Sequence, residues 1–199
     1  MKSRMEIKSR AKDNFMNQYW ICVVMGIVYS VILSVLSGIS AGIAAFLLMP
    51  PMTVGYAYFS LRIYRGETGD VIEALSAGFK DYGKSLVGIL WMYLFTFLWS
   101  LALIIPGIVK AIAYSMTPYI LTDMKDVSAK DALRVSMKMT DGYKGEIFIM
   151  ALSFLGWWLL SALTFGILAI FFTGPYTATS FAGLYEELKK NAIVEDAAA

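Results

Sequence analysis

The stretch SLVGILWMYLFTFLWSLALIIPGIVKAIAYSMTPYILT, residues 85–122, contains no charged side chain except Lys110. A helix that crosses a bilayer needs about 20 predominantly apolar residues. The stretch is therefore long enough for two crossings, and the Pro106–Gly107 pair near its middle is typical of a turn between them. This pattern predicts a hairpin of two transmembrane helices.

Two further segments, residues 14–61 and 147–185, contain no Asp, Glu, Lys or Arg at all. Each is also long enough for two crossings. The whole chain of 199 residues is 58% hydrophobic and only 16% charged, whereas a water-soluble domain is about half apolar and about a quarter charged. We therefore expect an all-α polytopic membrane protein with six transmembrane helices in three hairpins.

The distribution of charge predicts the orientation in the membrane. All 17 lysines and arginines except Lys110 lie at the N-terminus, in residues 62–84 and 123–146, or after residue 185. With six crossings these segments share one face, which is cytoplasmic because cytoplasmic loops carry the excess of positive charge. Both termini are then cytoplasmic, and Asp123 and Asp126 are interpreted as solvated capping residues on that face.

A short amphipathic helix in the cytoplasmic interface is expected before each hairpin. An N-cap side chain followed three residues later by an acid is a helix start signal, and it occurs at Ser3/Glu6, Asp70/Glu73 and Ser128/Asp131. We interpret residues 1–199 as one membrane domain, with a possible threefold repeat over 1–66, 67–125 and 126–190, and 191–199 as a flexible tail. The alternative is that three common capping signals coincide by chance.

Prolines predict interruptions in the transmembrane helices. Pro51 and Pro175 each lie eleven residues before a cytoplasmic charge, Arg62 and Glu186, which puts both near the bilayer midplane. A proline inside a helix frees a backbone carbonyl, and paired interruptions are typical of a central binding site. The predicted breaks are Pro51, Pro106, Pro118 and Pro175, and the hydroxyl-bearing residues beside the midplane pair are Thr53, Tyr56, Tyr176, Thr177, Thr179 and Ser180.

Two interpretations of these hydroxyl groups remain open. They could line a polar cavity that binds a ligand, or they could bond back to carbonyls that the prolines leave without partners. In the second case the prolines only shape helix packing. The small residues Ser30, Ser34, Gly38 and Gly42 recur every four residues, a spacing that allows close helix contact within the chain or with a partner subunit.

Lys110 is predicted to lie about 20 Å from the cytoplasmic edge, because it precedes Asp123 by 13 residues. One interpretation is that its side chain extends to lipid phosphates of the outer leaflet. The other is an anion site in which Lys110, with Tyr114 and Ser115, binds a phosphate or carboxylate of a ligand.

The sequence argues against several classes of function. There is no histidine and only one cysteine, Cys22, so the commonest proton-transfer side chain is missing and neither a disulfide nor a Cys/His metal site is expected. No phosphate-binding loop or nucleophile elbow is present. The small net charge of +2 gives no reason to expect a nucleic-acid partner. We expect no enzyme activity, catalytic residue, metal or cofactor.

Several strings together resemble domain-of-unknown-function family 975, whose members are polytopic bacterial membrane proteins. The strings are LWSLALIIPGIVKAIAYSMTPYIL (98–121), DALRVSMKMTDGYKGEIF (131–148), LSFLGWWLLSALTFGI (152–167), GPY (174–176) and LYEEL (184–188). The resemblance implies a multi-pass protein of the bacterial plasma membrane, and it implies no activity, substrate or site residue.

Two classes of function fit these observations best. The first is a small transporter or exporter component that binds a lipid, a peptide or another amphipathic anionic molecule at the proline-interrupted centre. The second is a non-catalytic scaffold or immunity-type protein that acts through lateral contacts between helices, with a membrane partner or as a homo-oligomer. An oligomeric channel is a third class, for which the charge-poor helices offer little support.

Overall fold

A computed structural model describes residues 3–39, 43–124 and 127–198, so Gly42 and Asp126 lie outside the described residues. The described chain is all-helical, as predicted. The helices, in chain order, are α1 (Arg4–Asn17), α2 (Tyr19–Ile39), α3 (Ile43–Arg65), α4 (Val71–Lys80), α5 (Tyr82–Ala102), α6 (Ile104–Tyr114), α7 (Thr117–Asp123), α8 (Ala129–Thr140), α9 (Lys144–Leu152), α10 (Leu155–Leu163) and α11 (Gly174–Ala198), with a π-helical segment at Ala169–Thr173 before α11.

The predicted start signals open three short helices. The Ser3 side chain accepts the Glu6 N–H while the Glu6 carboxylate accepts the Ser3 N–H. At α4 the Asp70 carboxylate accepts two backbone N–H groups, and at α8 the Ser128 hydroxyl accepts the Asp131 N–H. Each cap satisfies donors that the first turn of a helix leaves without partners, which explains why these helices begin where the sequence indicates.

Two of the short helices pack closely against the long ones. Helix α4 lies on α3, and a Cβ built on Gly55 would come within 2.5 Å of the Ala74 carbonyl oxygen, while one built on Gly78 would collide with the Pro51 carbonyl oxygen. Helix α8 lies on α5, α6 and α7. Both were predicted as interfacial helices, and these contacts show that each also forms part of the packed bundle.

The centre of the fold is α3, which contacts α4, α5, α7 and α11. The largest fully buried side chains lie mostly in or around these helices, and they include Leu61, Ile63, Met116, Ile120 and Tyr185. Helix α1 also packs against α3 and α11 and buries Ile7, Ala11 and Phe15 there. The N-terminal helix is therefore a structural part of the bundle.

The outer surface is strongly apolar on α5, α6, α9 and α10. Phe97, Leu101, Ile104 and Leu159 are each at least 60% exposed. Three helical stretches are long and apolar enough to cross a membrane, or four if α1 and α2, which meet at 87°, form one bent span: Tyr82–Leu101, Ile104–Asp123, Lys144–Leu163 and the pair Arg4–Asn17 with Tyr19–Val35. The six-span arrangement and the threefold repeat remain predictions.

The predicted helix breaks differ in what they do. Helix α3 continues through Pro50 and Pro51 without interruption, so Pro51 does not end a helix. Pro106 lies in the first turn of α6, where its missing N–H costs little. Pro118 is the second residue of α7, which follows a break at residues 115–116, and Pro175 follows the π-helical segment. The chain also breaks between α9 and α10, which no proline signalled, and α11 continues as helix to Ala198 through the predicted tail.

Candidate functional site

A cavity of about 330 Å³ lies where α2, α3, α7 and α11 meet. Its walls combine aromatic rings, methionines and three hydroxyl-bearing residues from the predicted site. The lining residues are Tyr29, Leu33, Met49, Met52, Thr53, Tyr56, Ala57, Ser115, Pro118, Tyr119 and Phe181.

The cavity is located at the break between α6 and α7. Pro118 has no N–H, so the Tyr114 carbonyl loses its usual helical partner. The neighbouring Ala113 carbonyl accepts a hydrogen bond from Ser136 Oγ of α8 at 2.7 Å, which joins the end of α6 to α8. Ser115 at this break and Pro118 and Tyr119 of α7 line the cavity.

A second cavity of about 250 Å³ lies beside the first. The two share Tyr29, Leu33 and Tyr56, and the rings of the two tyrosines meet edge to face with centroids 5.5 Å apart. Pro175 and the π-helical segment line the far side of the second cavity. The two cavities therefore flank the tyrosine pair, one at the α6–α7 break and one at the Pro175 break.

The polar groups around the first cavity are mostly satisfied by backbone carbonyls. Thr53 Oγ1 donates to Met49 O at 2.8 Å, Ser115 Oγ donates to Ile112 O at 2.7 Å, and Tyr119 Oη donates to Ala178 O at 3.3 Å. Tyr29 Oη is buried without a hydrogen-bond partner in the described part of the chain. Since none of the lining residues is charged, the cavity suits an apolar ligand better than an anion.

The predicted site residues in α11 lie outside both cavities. Tyr176 packs its ring against Phe154 and Phe172, with centroids 5.2 and 5.5 Å away. Thr179 and Ser180 are buried, and neither they nor Thr177 line either of the two cavities. The structure thus brings Thr53, Tyr56 and Ser115 together and leaves Tyr176, Thr177, Thr179 and Ser180 in the packed bundle.

Lys110 and Tyr114 also lie outside the two cavities. The Lys110 ammonium lies 3.8 Å from the Met137 sulfur of α8, and 5.2 and 5.8 Å from the ring centroids of Trp99 and Tyr114. Helix α8 packs against both α6 and α7, and Lys110 contacts it through Met137. Lys110 is therefore on the same side of the bundle as the charged helix α8. The distance of Lys110 from the cytoplasmic edge stays a prediction.

The polar end of the bundle is held together by Asp123. Its carboxylate accepts bonds from Arg65 at 2.7 Å, from Lys189 at 2.5 Å and from Tyr185 at 2.9 Å, and Arg65 also pairs with Glu186 at 2.6 Å. Only 11% of the Asp123 side chain is exposed. The interpretation of Asp123 as a solvated capping residue is therefore wrong, because its carboxylate joins the ends of α3 and α7 to the middle of α11.

Several lining residues were not among the predicted ones. Tyr29 and Tyr119 contribute their rings to the lining of the first cavity, and Met52 and Phe181 form part of its apolar walls. Tyr119 directly follows Pro118 and Met52 directly follows Pro51, so the proline signal pointed to the right neighbourhood. No local signal marks Tyr29, because only the packing of α2 on α3 brings it there.

The family model described as a protein of unknown function, DUF975, matches residues 101–192. This match confirms the resemblance predicted from the sequence. The matched segment includes α6 to α10 and most of α11, and hence Lys110, Asp123 and Pro175. The curated proteins contain no match to this chain, and the solved structures contain none either.

Proposed function

We propose that this chain, a member of the unknown-function family DUF975 through its residues 101–192, is a non-catalytic transport component. It would bind an amphipathic molecule with its apolar part in the cavity between α2, α3, α7 and α11. The observation that carries the proposal is the uncharged cavity of about 330 Å³ at the α6–α7 break. Ligand sites in proteins are typically clefts of about 300–1,000 Å³ with few polar groups.

The proposed setting is the bacterial plasma membrane, with six crossings and both termini in the cytoplasm. The three apolar stretches that are long enough to cross support it, and so does the family of residues 101–192. Helices α2 and α3, of 21 and 23 residues, have lengths that suit two more crossings. The π-helical segment with α11 would supply the sixth.

The uncharged lining of the cavity favours a ligand with an apolar chain. Thr53 and Ser115 already donate their hydroxyl protons to the backbone carbonyls of Met49 and Ile112. A carboxylate or phosphate in the cavity would then meet no cation. We therefore propose that a lipid acyl chain or an apolar peptide side chain occupies the space, with any charged group outside it.

The test is lipid movement in proteoliposomes that contain the purified chain. A fluorescent phospholipid in one leaflet reports movement to the other when a membrane-impermeant reductant bleaches the accessible leaflet. We expect protein-dependent movement that Ala57→Phe abolishes by filling the cavity that Ala57 lines. Ala111→Phe, at an exposed position of α6, is the matched control and should leave movement unchanged.

A scaffold that acts through lateral contacts is the second candidate. The scaffold role is favoured by small residues on the outer surface of α2. Ser34 is exposed, and a Cβ built on Gly38 would meet no atom within 4 Å. Small residues at a lipid-facing surface allow another helix to approach closely. Absence of lipid movement together with a membrane protein that co-purifies, and that is lost on Gly38→Leu, would favour this candidate over transport.

A further inference from the structure

A polar groove of about 600 Å³ lies where α3, α4, α5 and α7 meet. Glu73, Ser76 and Lys80 line it from one side of α4, since they are three or four residues apart. Asp81, which lies between α4 and α5, and Thr122 near the end of α7 also line it. The groove shares no lining residue with either of the two cavities described above, so it is a separate site.

Two ionised groups in or beside the groove already have partners. The Glu73 carboxylate pairs with Arg62 and accepts a hydrogen bond from Tyr58 Oη at 2.6 Å. The Lys84 ammonium donates to the Met124 carbonyl at 3.1 Å, and Lys84 does not line the groove. Both groups are therefore engaged by the protein itself, and neither is needed to bind a ligand.

Lys80 and Asp81 are the charged groups of the groove that the protein does not engage. Both are exposed, and no ion pair or hydrogen bond joins either side chain to another described residue. Asp81 directly precedes α5, yet its carboxylate caps no backbone N–H of that helix. The groove wall thus presents one ammonium and one carboxylate that are paired neither with each other nor with a neighbour.

Two hydroxyl groups add to this set. Ser76 and Thr122 line the groove, and neither hydroxyl is bonded to another described residue, whereas Ser85 Oγ donates to the Gly78 carbonyl at 3.2 Å. An ammonium and two hydroxyls are donors that suit a phosphate, and a carboxylate suits a group that carries positively charged N–H donors. Together they fit a zwitterion with one phosphate and one ammonium.

The location of the groove favours a lipid as the source of that zwitterion. Asp81 directly precedes Tyr82–Leu101, and Thr122 is next to the last residue of Ile104–Asp123; both stretches are long and apolar enough to cross a membrane. The ends of such stretches lie at the level of the lipid headgroups. Ile72 of α4 is 76% exposed and offers an apolar surface to the acyl chains.

We propose that this groove binds a phospholipid whose headgroup ends in a primary amine, represented by phosphatidylethanolamine. Lys80 and the hydroxyls of Ser76 and Thr122 bind the phosphate, and Asp81 accepts hydrogen bonds from the primary ammonium. Phosphatidylcholine has the same net charge but no N–H donor, and phosphatidylglycerol has no ammonium. The inference goes beyond the transport proposal and does not depend on it, because it uses no residue of the cavity at the α6–α7 break.

The experiment uses the full chain in detergent micelles, titrated separately with short-chain phosphatidylethanolamine, phosphatidylcholine and phosphatidylglycerol, and with water-soluble glycerophosphoethanolamine. We expect phosphatidylethanolamine to bind most tightly. Lys80→Gln should weaken that binding about fivefold, the effect of removing one cation beside a lipid phosphate. Asp81→Asn should weaken binding of phosphatidylethanolamine and strengthen that of phosphatidylglycerol, because the carboxylate attracts the ammonium and repels the anionic lipid. Opposite changes for two lipids cannot result from unfolding of the variant.

Two control variants remove charges outside the groove. Lys130→Gln on α8 and Asp13→Asn on α1 change exposed side chains that do not line it, and both should leave all four affinities unchanged. Equal affinity for the three lipids or an unchanged lipid preference in Asp81→Asn would overturn the proposal. Glycerophosphoethanolamine binding as tightly as phosphatidylethanolamine would overturn it as well, because the ligand would then be a soluble zwitterion and not a lipid.

Discussion

Charged side chains have different surroundings in two regions of the molecule. One region is the inner helices α3, α7 and α11, and the other is the outer arms α5–α6 and α9–α10. At the polar end of the inner helices, Asp123 has three donors and Arg65 has two carboxylates. On the outer arms, the partners of the Lys110 ammonium within the described residues are two aromatic rings and a sulfur. The inner group buries its side chains, whereas residues such as Phe97 and Leu159 are at least 60% exposed.

This difference indicates what stabilises each region. Lipid is as apolar as the side chains that face it, so the outer arms gain little by packing against protein. The inner helices depend on close backbone contact and on matched polar pairs, both of which a single substitution can remove. Mutations of equal chemical size should therefore cost much more in the inner helices than in the arms.

The largest effect is expected from Asp123→Asn. The substitution keeps the size of the side chain but leaves Lys189 without its carboxylate and Arg65 with only Glu186. Unpairing a buried ion pair costs about 3 kcal/mol of unfolding free energy, measured by unfolding in mixed detergent micelles. Asp141→Asn, at an ion pair whose aspartate side chain is 75% exposed, is the control, and an equal loss in both would contradict the special role of Asp123.

The next effect concerns close packing in the inner group. Gly78→Ala puts a methyl group against the Pro51 carbonyl oxygen, so α4 must move away from α3. Overpacking of this kind costs about 2 kcal/mol. Gly83→Ala is the matched control, because a Cβ there meets nothing within 4 Å, and alanine should stabilise that helical position slightly. If both variants unfold alike, the α3–α4 contact is not what the structure shows.

A smaller effect is expected where α5 is joined to α3. Tyr82 Oη donates to Leu47 O at 3.3 Å, and this carbonyl is the one that Pro51 deprives of its helical donor. Tyr82→Phe should lower the unfolding free energy by about 0.6 kcal/mol, the average for a hydrogen bond between membrane helices. Tyr93→Phe, at an exposed position of the same helix, should have no effect, and a larger loss there would count against this bond.

The smallest change in stability is expected from Lys110→Leu. The variant loses the attraction between the ammonium and the rings of Trp99 and Tyr114. It also removes the free-energy cost of holding a cation between apolar helices, so the loss and the gain in stability offset each other. We expect unfolding free energy within about 0.5 kcal/mol of the native chain, as for surface substitutions. A loss as large as that of Asp123→Asn would mean that Lys110 is a structural residue like those of the inner group.

Local signals account for much of what the sequence predicted well. The caps at Ser3, Asp70 and Ser128 depend only on side chains within one turn of the helix that they start. The charge-free segments indicate apolar helices for a similar reason, because the hydropathy of a segment is the sum over its own residues and needs no distant contact. Pro118 marked the break beside the cavity because proline removes a donor wherever it stands.

Contacts between distant residues were outside the reach of such signals. The sequence showed that Asp123 carries a charge and that Lys110 stands alone in an apolar run, but not which of them has partners. Arg65 and Lys189 are 58 and 66 residues from Asp123 along the chain, and Met137 is 27 from Lys110. The amino-acid order predicted a helical, strongly apolar chain and the starts of α1, α4 and α8. The packing of α3, α7, α8 and α11 decided which charges are paired and where a cavity remains, because both depend on helix crossings that residue spacing does not encode.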